Sequence, residues 1–318
     1  MHQPFLRKAK YVSSCLQLAI LLEASANKPG NVNRTEGFQN TRFEHFLASA
    51  VAVEPYFATA AQRGIQISEG KIEHDETGLG EIIRDEVMSV NAWQRGGNTI
   101  LGTILLLSPI AVASGITLAN NDQFSISELR RNIKPVVEFT TPSDAVAVYE
   151  AIKLASPGGL SNKTPALDVN DPKSKETILA KKVTLYDIFR MSTPYDSVSK
   201  EWTENYPLTF EIGFPFLTQQ LEQTGNLNTA IVHTFLKLLS VAPDSLIARK
   251  AGLKKAQKIS EKASQVLKAG GSTTNYGRDM LFSFDKELRR SANQYNPGTT
   301  ADIVASVLAV SVLNGYRP

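Results

Sequence analysis

Apolar residues recur at spacings of three and four along almost the whole chain, and this periodicity limits the fold more than any other feature. Residues 11–26 place Val12, Cys15, Leu16, Ala19 and Leu22 on one face. That spacing is typical of an amphipathic α-helix. Similar patterns predict further helices at residues 43–57, 79–90, 98–115, 143–155, 184–192, 196–204, 226–240, 244–268, 278–293 and 299–314.

Strand patterns are scarce, so we predict an all-α fold. The sequence VVEFTT at 136–141 alternates for only a few residues. Residues 157–182 are polar and rich in proline and lysine, which indicates a long surface loop. Pro55 is expected to kink or end its helix, because proline lacks the amide hydrogen. The helices before and after the loop are alike in character, so residues 1–318 are predicted to form one compact multi-helix domain.

Composition excludes several classes of protein. The 318 residues carry 34 Lys and Arg against 31 Asp and Glu, which is too balanced for a nucleic-acid binder. Cys15 is the only cysteine, so no internal disulfide forms, as expected in the cytoplasm. The most apolar segment, residues 100–116, is interrupted by Pro109 and predicts a buried core helix, not a membrane span. We expect a cytoplasmic protein without a signal peptide, and an oligomer is compatible with the sequence.

Four helix junctions share a polar turn rich in glycine, proline or asparagine. They are KPGNVNR (28–34), RGGNT (95–99), SPGGL (156–160) and NPGTTAD (296–302). Glycine allows a ligand to approach the backbone closely, and a helix N-terminus offers free amide hydrogens to anions. Each turn alone is most simply a chain reversal. Asn98 and Asp302 could also serve only as helix caps.

Taken together and in order, the motifs resemble those of the triphosphoribosyl-dephospho-CoA synthase family. The resemblance rests on Glu23 followed by KPGNVNR, on FLASA (46–50) with PYF (55–57), on GGNT (96–99) with Gly102, on Asp244 with Arg249, and on NPGTTAD. It covers most of the chain, and the first and last motifs are the most specific.

The resemblance implies that the ribose 2′-hydroxyl of dephospho-CoA attacks C1′ of ATP and that adenine leaves. It implies Glu23, Asp302 and Asp244 as catalytic carboxylates, with Glu23 and Asp302 also as Mg²⁺ ligands. Lys28, Arg34 and Arg249 are the candidates for binding phosphate. The remaining candidates for nucleotide binding lie in the same turns: Ser25, Gly30, Asn31, Gly97, Asn98, Thr99, Asn296 and Gly298.

Three places differ from the family's usual pattern and leave the acceptor open. Asn33 stands where an acid is usual, residues 39–41 lack the usual histidine and aspartate, and residues 100–101 are apolar. Two alternatives therefore remain. One is a related ribosyl transferase with another acceptor, or a hydrolase of the N-glycosidic bond. The other is a helical protein that binds nucleotides without catalysis.

Overall fold

The structure is a computed structural model that describes residues 3–120, 124–158, 167–290 and 293–318. Within these residues the chain contains no strand, which confirms the all-α prediction. The first six helices are α1 (Gln3–Ser25), α2 (Phe43–Ser68), α3 (Leu79–Trp93), α4 (Leu101–Asn120), α5 (Ile126–Glu138) and α6 (Pro142–Ala155). The others are α7 (Lys173–Ala180), α8 (Leu185–Ser192), α9 (Ser197–Thr203), α10 (Phe214–Thr224), α11 (Leu227–Val241), α12 (Ser245–Ala251), α13 (Leu253–Lys268), α14 (Asn275–Arg289) and α15 (Gly298–Leu313). A 3₁₀-helix (His74–Glu76) precedes α3, and a π-helical turn (Leu208–Gly213) precedes α10.

Helices α4 and α15 form the centre of the fold. Helix α4 packs against α1, α2, α3, α5 and α15, and α15 packs also against α1, α10 and α11. An α-helix that is apolar on all sides is expected to be buried in this way. By length and composition α4 could cross a membrane, but 94% of its most apolar stretch is buried inside the protein. The prediction of a core helix at 100–116 is therefore confirmed.

Glycines allow α2 and α4 to pack with their backbones in contact. A Cβ atom on Gly64 would lie 1.9 Å from the carbonyl oxygen of Val112. A Cβ atom on Gly115 would lie 2.1 Å from the carbonyl oxygen of Ala61. Neither position leaves room for a larger side chain. This packing holds the C-terminal half of α4 against α2.

Several local predictions were incomplete or wrong. Helix α5 was not predicted; it includes residues 136–138 of the short alternating segment, and its Leu129, Ile133 and Val136 are buried at helical spacing. The segment 157–182 is not one loop, because α7 lies within it; residues 159–166 lie outside the described residues. Helix α2 continues through Pro55, which lies on its exposed face. The helix predicted at 244–268 is divided at Gly252, whose φ of 87° is unsuited to other residues.

Candidate active site

A cavity of about 820 Å³ opens among helices from both ends of the chain. Its size is in the range of sites that bind small molecules and cofactors. Its lining includes the end of α1, the starts of α4 and α15, one face of α6 and α8, and part of α12. Three of the four turns singled out in the sequence contribute residues to it, and the fourth, SPGGL, contributes its described part.

Two carboxylates, the buried Glu23 and the partly buried Asp302, line this cavity and are here called the carboxylate pair. Burial raises the pKa of Asp302 to about 8, and the negative charges of Glu23 and Asp244 act in the same direction. The Thr103 hydroxyl donates to Asp302 Oδ1 at 2.6 Å and partly opposes that shift. A Cβ atom on Gly102 would lie 2.1 Å from Asp302 Oδ2, so a larger residue at position 102 would displace this carboxylate.

The partner of Glu23 is Lys28. The Lys28 ammonium lies 3.0 Å from Glu23 Oε1, and its side chain has no exposed surface. It also donates to the carbonyl oxygens of Glu23 and Ala26. Burial raises the pKa of Glu23, and the Lys28 charge opposes that shift. Lys28 is therefore placed to neutralise Glu23 and not, as predicted, to contact phosphate.

The KPGNVNR turn is fixed from outside by helix α14. Asp285 accepts a hydrogen bond from the Gly30 amide at 2.7 Å, and Arg289 donates to the Asn31 carbonyl at 2.6 Å. The turn requires Gly30, which has φ of 70° and would meet Leu288 if it carried a Cβ atom. Asn31 lines the cavity. Gly30 is thus a structural glycine beside the site.

Ser25 and Arg34, two other predicted residues of the first motif, are not among the described residues that line the cavity, which we call its described lining. Ser25 donates its hydroxyl to the Leu21 carbonyl, and Arg34 is exposed. The unusual Asn33 is also outside it. Its side-chain oxygen accepts hydrogen bonds from both the amide and the hydroxyl of Thr35 and closes the turn. The difference from the family pattern at position 33 therefore affects the shape of a turn and not the lining of the cavity.

The RGGNT turn brings Asn98 and Thr99 to the cavity, together with Gly96, whereas Gly97 is not in the described lining. Asn98 also caps α4, because its side-chain oxygen accepts from the Leu101 amide at 3.1 Å. The Thr99 hydroxyl is 2.7 Å from that of Ser49 on α2. The two interpretations of Asn98, helix cap and site residue, are therefore compatible.

Two adjacent cations of α12, Arg249 and Lys250, are the basic side chains in the described lining. Arg249 contacts Asp196 at 2.6 Å and is partly exposed. Lys250 donates to the Asn293 carbonyl at 3.1 Å. Burial lowers the pKa of Lys250. This part of the cavity is suited to a group with several negative charges.

Two side-chain amide oxygens without hydrogen-bond partners also lie in the lining of the cavity. Asn293 and Asn296 line the cavity, and the side-chain oxygen of each is buried with no hydrogen-bond partner. A buried polar atom without a partner is unfavourable, so a ligand with hydroxyl or amine hydrogens would stabilise this region. Gly298 also lines the cavity and packs closely against Leu246.

Asp244 has a structural position. One carboxylate oxygen caps α12 through the Ile247 amide at 3.0 Å, and the other accepts from the Thr300 amide at 2.7 Å. It is 2% exposed and lies outside the described lining of the cavity. Burial raises the pKa of Asp244, and these hydrogen bonds oppose that shift. Asp244 therefore joins α12 to α15 and has no free oxygen for a catalytic role.

The carboxylate pair fits a magnesium ion only in part. Among the described residues, no group of three or more His, Cys, Asp or Glu side chains could hold a metal ion. Mg²⁺ in nucleotide sites is commonly held by one or two carboxylates, with phosphate oxygens and waters as the other ligands. Burial and, after it, the charges of Glu23 and Asp244 raise the pKa of Asp302, and a divalent cation would offset those charges. The pair is therefore suited to Mg²⁺ that arrives with a nucleotide.

The structure brings together eight of the predicted site residues: Glu23, Asn31, Asn98, Thr99, Arg249, Asn296, Gly298 and Asp302. Six are not in the described lining: Ser25, Lys28, Gly30, Arg34, Gly97 and Asp244. The sequence prediction missed Thr103, Lys250 and Asn293. Lys250 could have been found, because it follows Arg249 directly. Asn293 carried no comparable signal.

Comparisons with known proteins agree on one family. The pattern of the CitG family, described as ATP:dephospho-CoA triphosphoribosyl transferase, matches residues 9–318. A 2-(5''-triphosphoribosyl)-3'-dephosphocoenzyme-A synthase of Klebsiella pneumoniae is 32% identical over 91 residues, which is 29% of this chain and 30% of that protein. A Malonomonas rubra protein assigned the same name is 23% identical over 95% of this chain and 87% of its own length.

A solved structure has a similar fold. It is the crystal structure of an Archaeoglobus fulgidus protein assigned as a triphosphoribosyl-dephospho-CoA synthase. The two align with a TM-score of 0.60 and 25% identity, over 85% of this chain and all of that one.

Proposed function

Because the chain belongs to the family of ATP:dephospho-CoA triphosphoribosyl transferases, we propose that it transfers the triphosphoribosyl group of ATP to the 2′-hydroxyl of 3′-dephospho-CoA. The bond from that oxygen to C1′ forms, the bond from C1′ to adenine breaks, and adenine leaves. The observation that carries this proposal is the meeting of Glu23 and Asp302 in one cavity with Arg249 and Lys250.

The two carboxylates have different environments, which supports different roles. Glu23 lies beside the Lys28 ammonium, which favours the ionised form and suits a base that accepts the proton of the attacking hydroxyl. Asp302 has no ion pair with a cation among the described residues and holds its proton at neutral pH, with a pKa of about 8. It suits the acid that protonates adenine as it departs. Carboxylates with unequal environments divide acid and base work in this way in other enzymes.

The phosphate groups of both substrates are proposed to lie against the two cations of α12, the triphosphate of ATP against Arg249 and Lys250 and the diphosphate of dephospho-CoA against Lys250. Arginine offers a planar fork that matches phosphate oxygens, and lysine a point charge. Asn293 and Asn296, whose side-chain oxygens lack partners, are proposed to accept hydrogen bonds from ribose hydroxyls or the adenine amine. When Mg²⁺ is bound with ATP, it would neutralise phosphate charge, and Glu23, which the Lys28 ammonium keeps ionised, would be the carboxylate available to it while Asp302 holds its proton.

Adenine release tests the proposal. The protein is incubated with ATP and Mg²⁺, with or without dephospho-CoA, and the bases are separated by chromatography. We expect adenine only when dephospho-CoA is present. Glu23→Gln and Asp302→Asn should each lower the rate by about 10²–10⁴-fold, the usual effect of losing a general acid or base.

Surface variants provide the control for that experiment. Glu44→Gln and Asp279→Asn change exposed carboxylates outside the cavity and should retain the wild-type rate. Adenine released without dephospho-CoA would instead indicate hydrolysis of the N-glycosidic bond. Full activity in Glu23→Gln would contradict the assignment of the base.

A further inference from the structure

One part of the cavity differs in chemistry from the carboxylate pair and the cations. It is formed by Tyr149 and Ile152 of α6, Leu167 and Val169 of the segment before α7, and Ile188 and Phe189 of α8, and is here called the aliphatic chamber. Helices α6 and α8 pack together, and the Tyr149 hydroxyl donates to the Leu167 carbonyl at 2.7 Å. The chamber is therefore a continuous, mostly apolar surface.

The chamber is unsuited to a phosphate chain. The cations in the described lining of the cavity, Arg249 and Lys250, both belong to α12. The charged residue beside the chamber is instead Asp168, whose negative charge contributes to raising the pKa of Tyr149 to about 12, after the larger effect of burial. An anionic group placed there would be repelled. The chamber thus requires a ligand part that is uncharged and substantially apolar.

The chamber is also unsuited to the adenine that leaves. In the proposed reaction that base is bonded to C1′, which must lie beside Glu23 and Asp302. Asp302 of α15 is held by the Thr103 hydroxyl at the start of α4, whereas Tyr149 of α6 is held by the Leu167 carbonyl in the segment before α7. The carboxylates and the chamber are therefore formed by different elements and occupy different parts of the cavity.

Lys250 lies at the end of α6, between the chamber and the rest of the cavity. Helix α6 ends at Ala155, and the turn after it brings Gly158 next to Lys250, where an added Cβ atom would lie 3.0 Å from Lys250 Cε. A phosphate held by Lys250 would therefore lie at the end of the helix that supplies Tyr149 and Ile152. A chain attached to that phosphate could continue into the chamber.

We propose that the aliphatic chamber binds the pantetheine arm of the acceptor. This inference rests on the proposed function. Dephospho-CoA is ADP with a pantetheine arm on its terminal phosphate, and that arm is uncharged, with a dimethyl-substituted carbon, two amides and a thiol. With its 2′-hydroxyl beside Glu23 and its diphosphate against Lys250, its arm would enter the chamber. The chamber then makes the protein select dephospho-CoA over ADP, which has the same hydroxyl and the same phosphates.

Calorimetric binding of dephospho-CoA and ADP tests this inference without requiring catalysis. The wild-type protein should bind dephospho-CoA about tenfold or more tightly than ADP, since burying an apolar arm is favourable. Ile152→Asn should reduce this preference several-fold and leave the affinity for ADP unchanged. Leu154→Asn is the matched control, because Leu154 is on the same helix, is 48% exposed and lies outside the described lining.

A second pair of variants distinguishes a change in the chamber from misfolding of the protein. Ile188→Asn should also reduce the preference, whereas Met191→Asn, at an exposed position of the same helix α8, should not. Equal binding of ADP and dephospho-CoA by the wild type, or an equal loss in the control variants, would overturn the inference. If the protein prefers dephospho-CoA but releases no adenine, the proposed reaction is wrong. The assignment of the chamber to the pantetheine arm is then still supported.

Discussion

At the scale of the residue, the proton on Asp302 links the chemistry of the site to its stability. The folded protein holds this carboxyl with a pKa of about 8, against about 3.9 for an aspartate in an unfolded chain. The native state therefore binds one more proton than the unfolded state between these values, and stability is lost as pH rises through that interval. The site is expected to be a region that favours function at the expense of stability.

Asp302→Asn should consequently stabilise the fold at alkaline pH. The amide cannot ionise, so its advantage over the wild type should increase from about pH 4 to about pH 8 and then remain constant. Thermal unfolding across that range measures the effect. Asp279→Asn, at an exposed position, should show no such trend. A wild-type protein as stable as Asp302→Asn at pH 9 would contradict the assignment of a proton to Asp302.

The ion pair of Glu23 with Lys28 leads to a second prediction. Lys28→Met would leave a buried carboxylate without its cation, which typically costs about 3–5 kcal/mol of unfolding free energy. Loss of the Lys28 charge should raise the pKa of Glu23 further, so the loss should be larger at pH 8 than at pH 5. The double variant Glu23→Gln/Lys28→Met should recover part of the stability. Equal stability of Lys28→Met and wild type at pH 8 would show that the pair contributes little.

At the scale of the element, the sequence predicted most helices because each buries a face at spacings of three and four. The predicted helix boundaries were wrong where the backbone depends on a single glycine or proline and the apolar pattern does not show it. Gly252 divides α12 from α13 through its positive φ, although the apolar pattern continues on both sides. Pro55 does not interrupt α2, because its missing hydrogen bond lies on the exposed face, where water can satisfy the carbonyl.

The close packing of α2 and α4 can be tested with adjacent substitutions. Gly115→Ala would place a methyl group about 2.1 Å from the Ala61 carbonyl oxygen, and overpacking of this kind usually costs about 1–3 kcal/mol. Ser114→Ala is the neighbouring control, since the Ser114 hydroxyl is buried without a hydrogen-bond partner. It should be neutral or slightly stabilising. Denaturant unfolding compares the two, and equal effects would show that the helices can separate at little cost.

At the scale of the whole molecule, the cavity depends on contacts between distant parts of the chain. The motifs identified Glu23, Asn98, Arg249 and Asp302 individually, but no local pattern shows that they share a cavity. The local pattern also did not distinguish Lys28, which is buried against Glu23, from a cation that faces a ligand. Which cations are free is decided by packing, and packing is set by long-range contacts that a single sequence does not display.

Binding of ATP should therefore stabilise the whole fold through these distant elements. A ligand that binds only the native state, at a hundred times its Kd, adds about 2.7 kcal/mol to the unfolding free energy. We expect ATP with Mg²⁺ to raise the Tm by several degrees. Arg249→Gln and Lys250→Gln should each reduce that increase at a fixed ATP concentration, because the two cations are proposed to hold the phosphates. Lys254→Gln, which removes an exposed charge of α13 outside the described lining, should keep it. If ATP raises the Tm of the two α12 variants as much as that of the wild type, the phosphates bind elsewhere. If Lys254→Gln reduces the rise in Tm equally, the effect is only a long-range attraction by net charge.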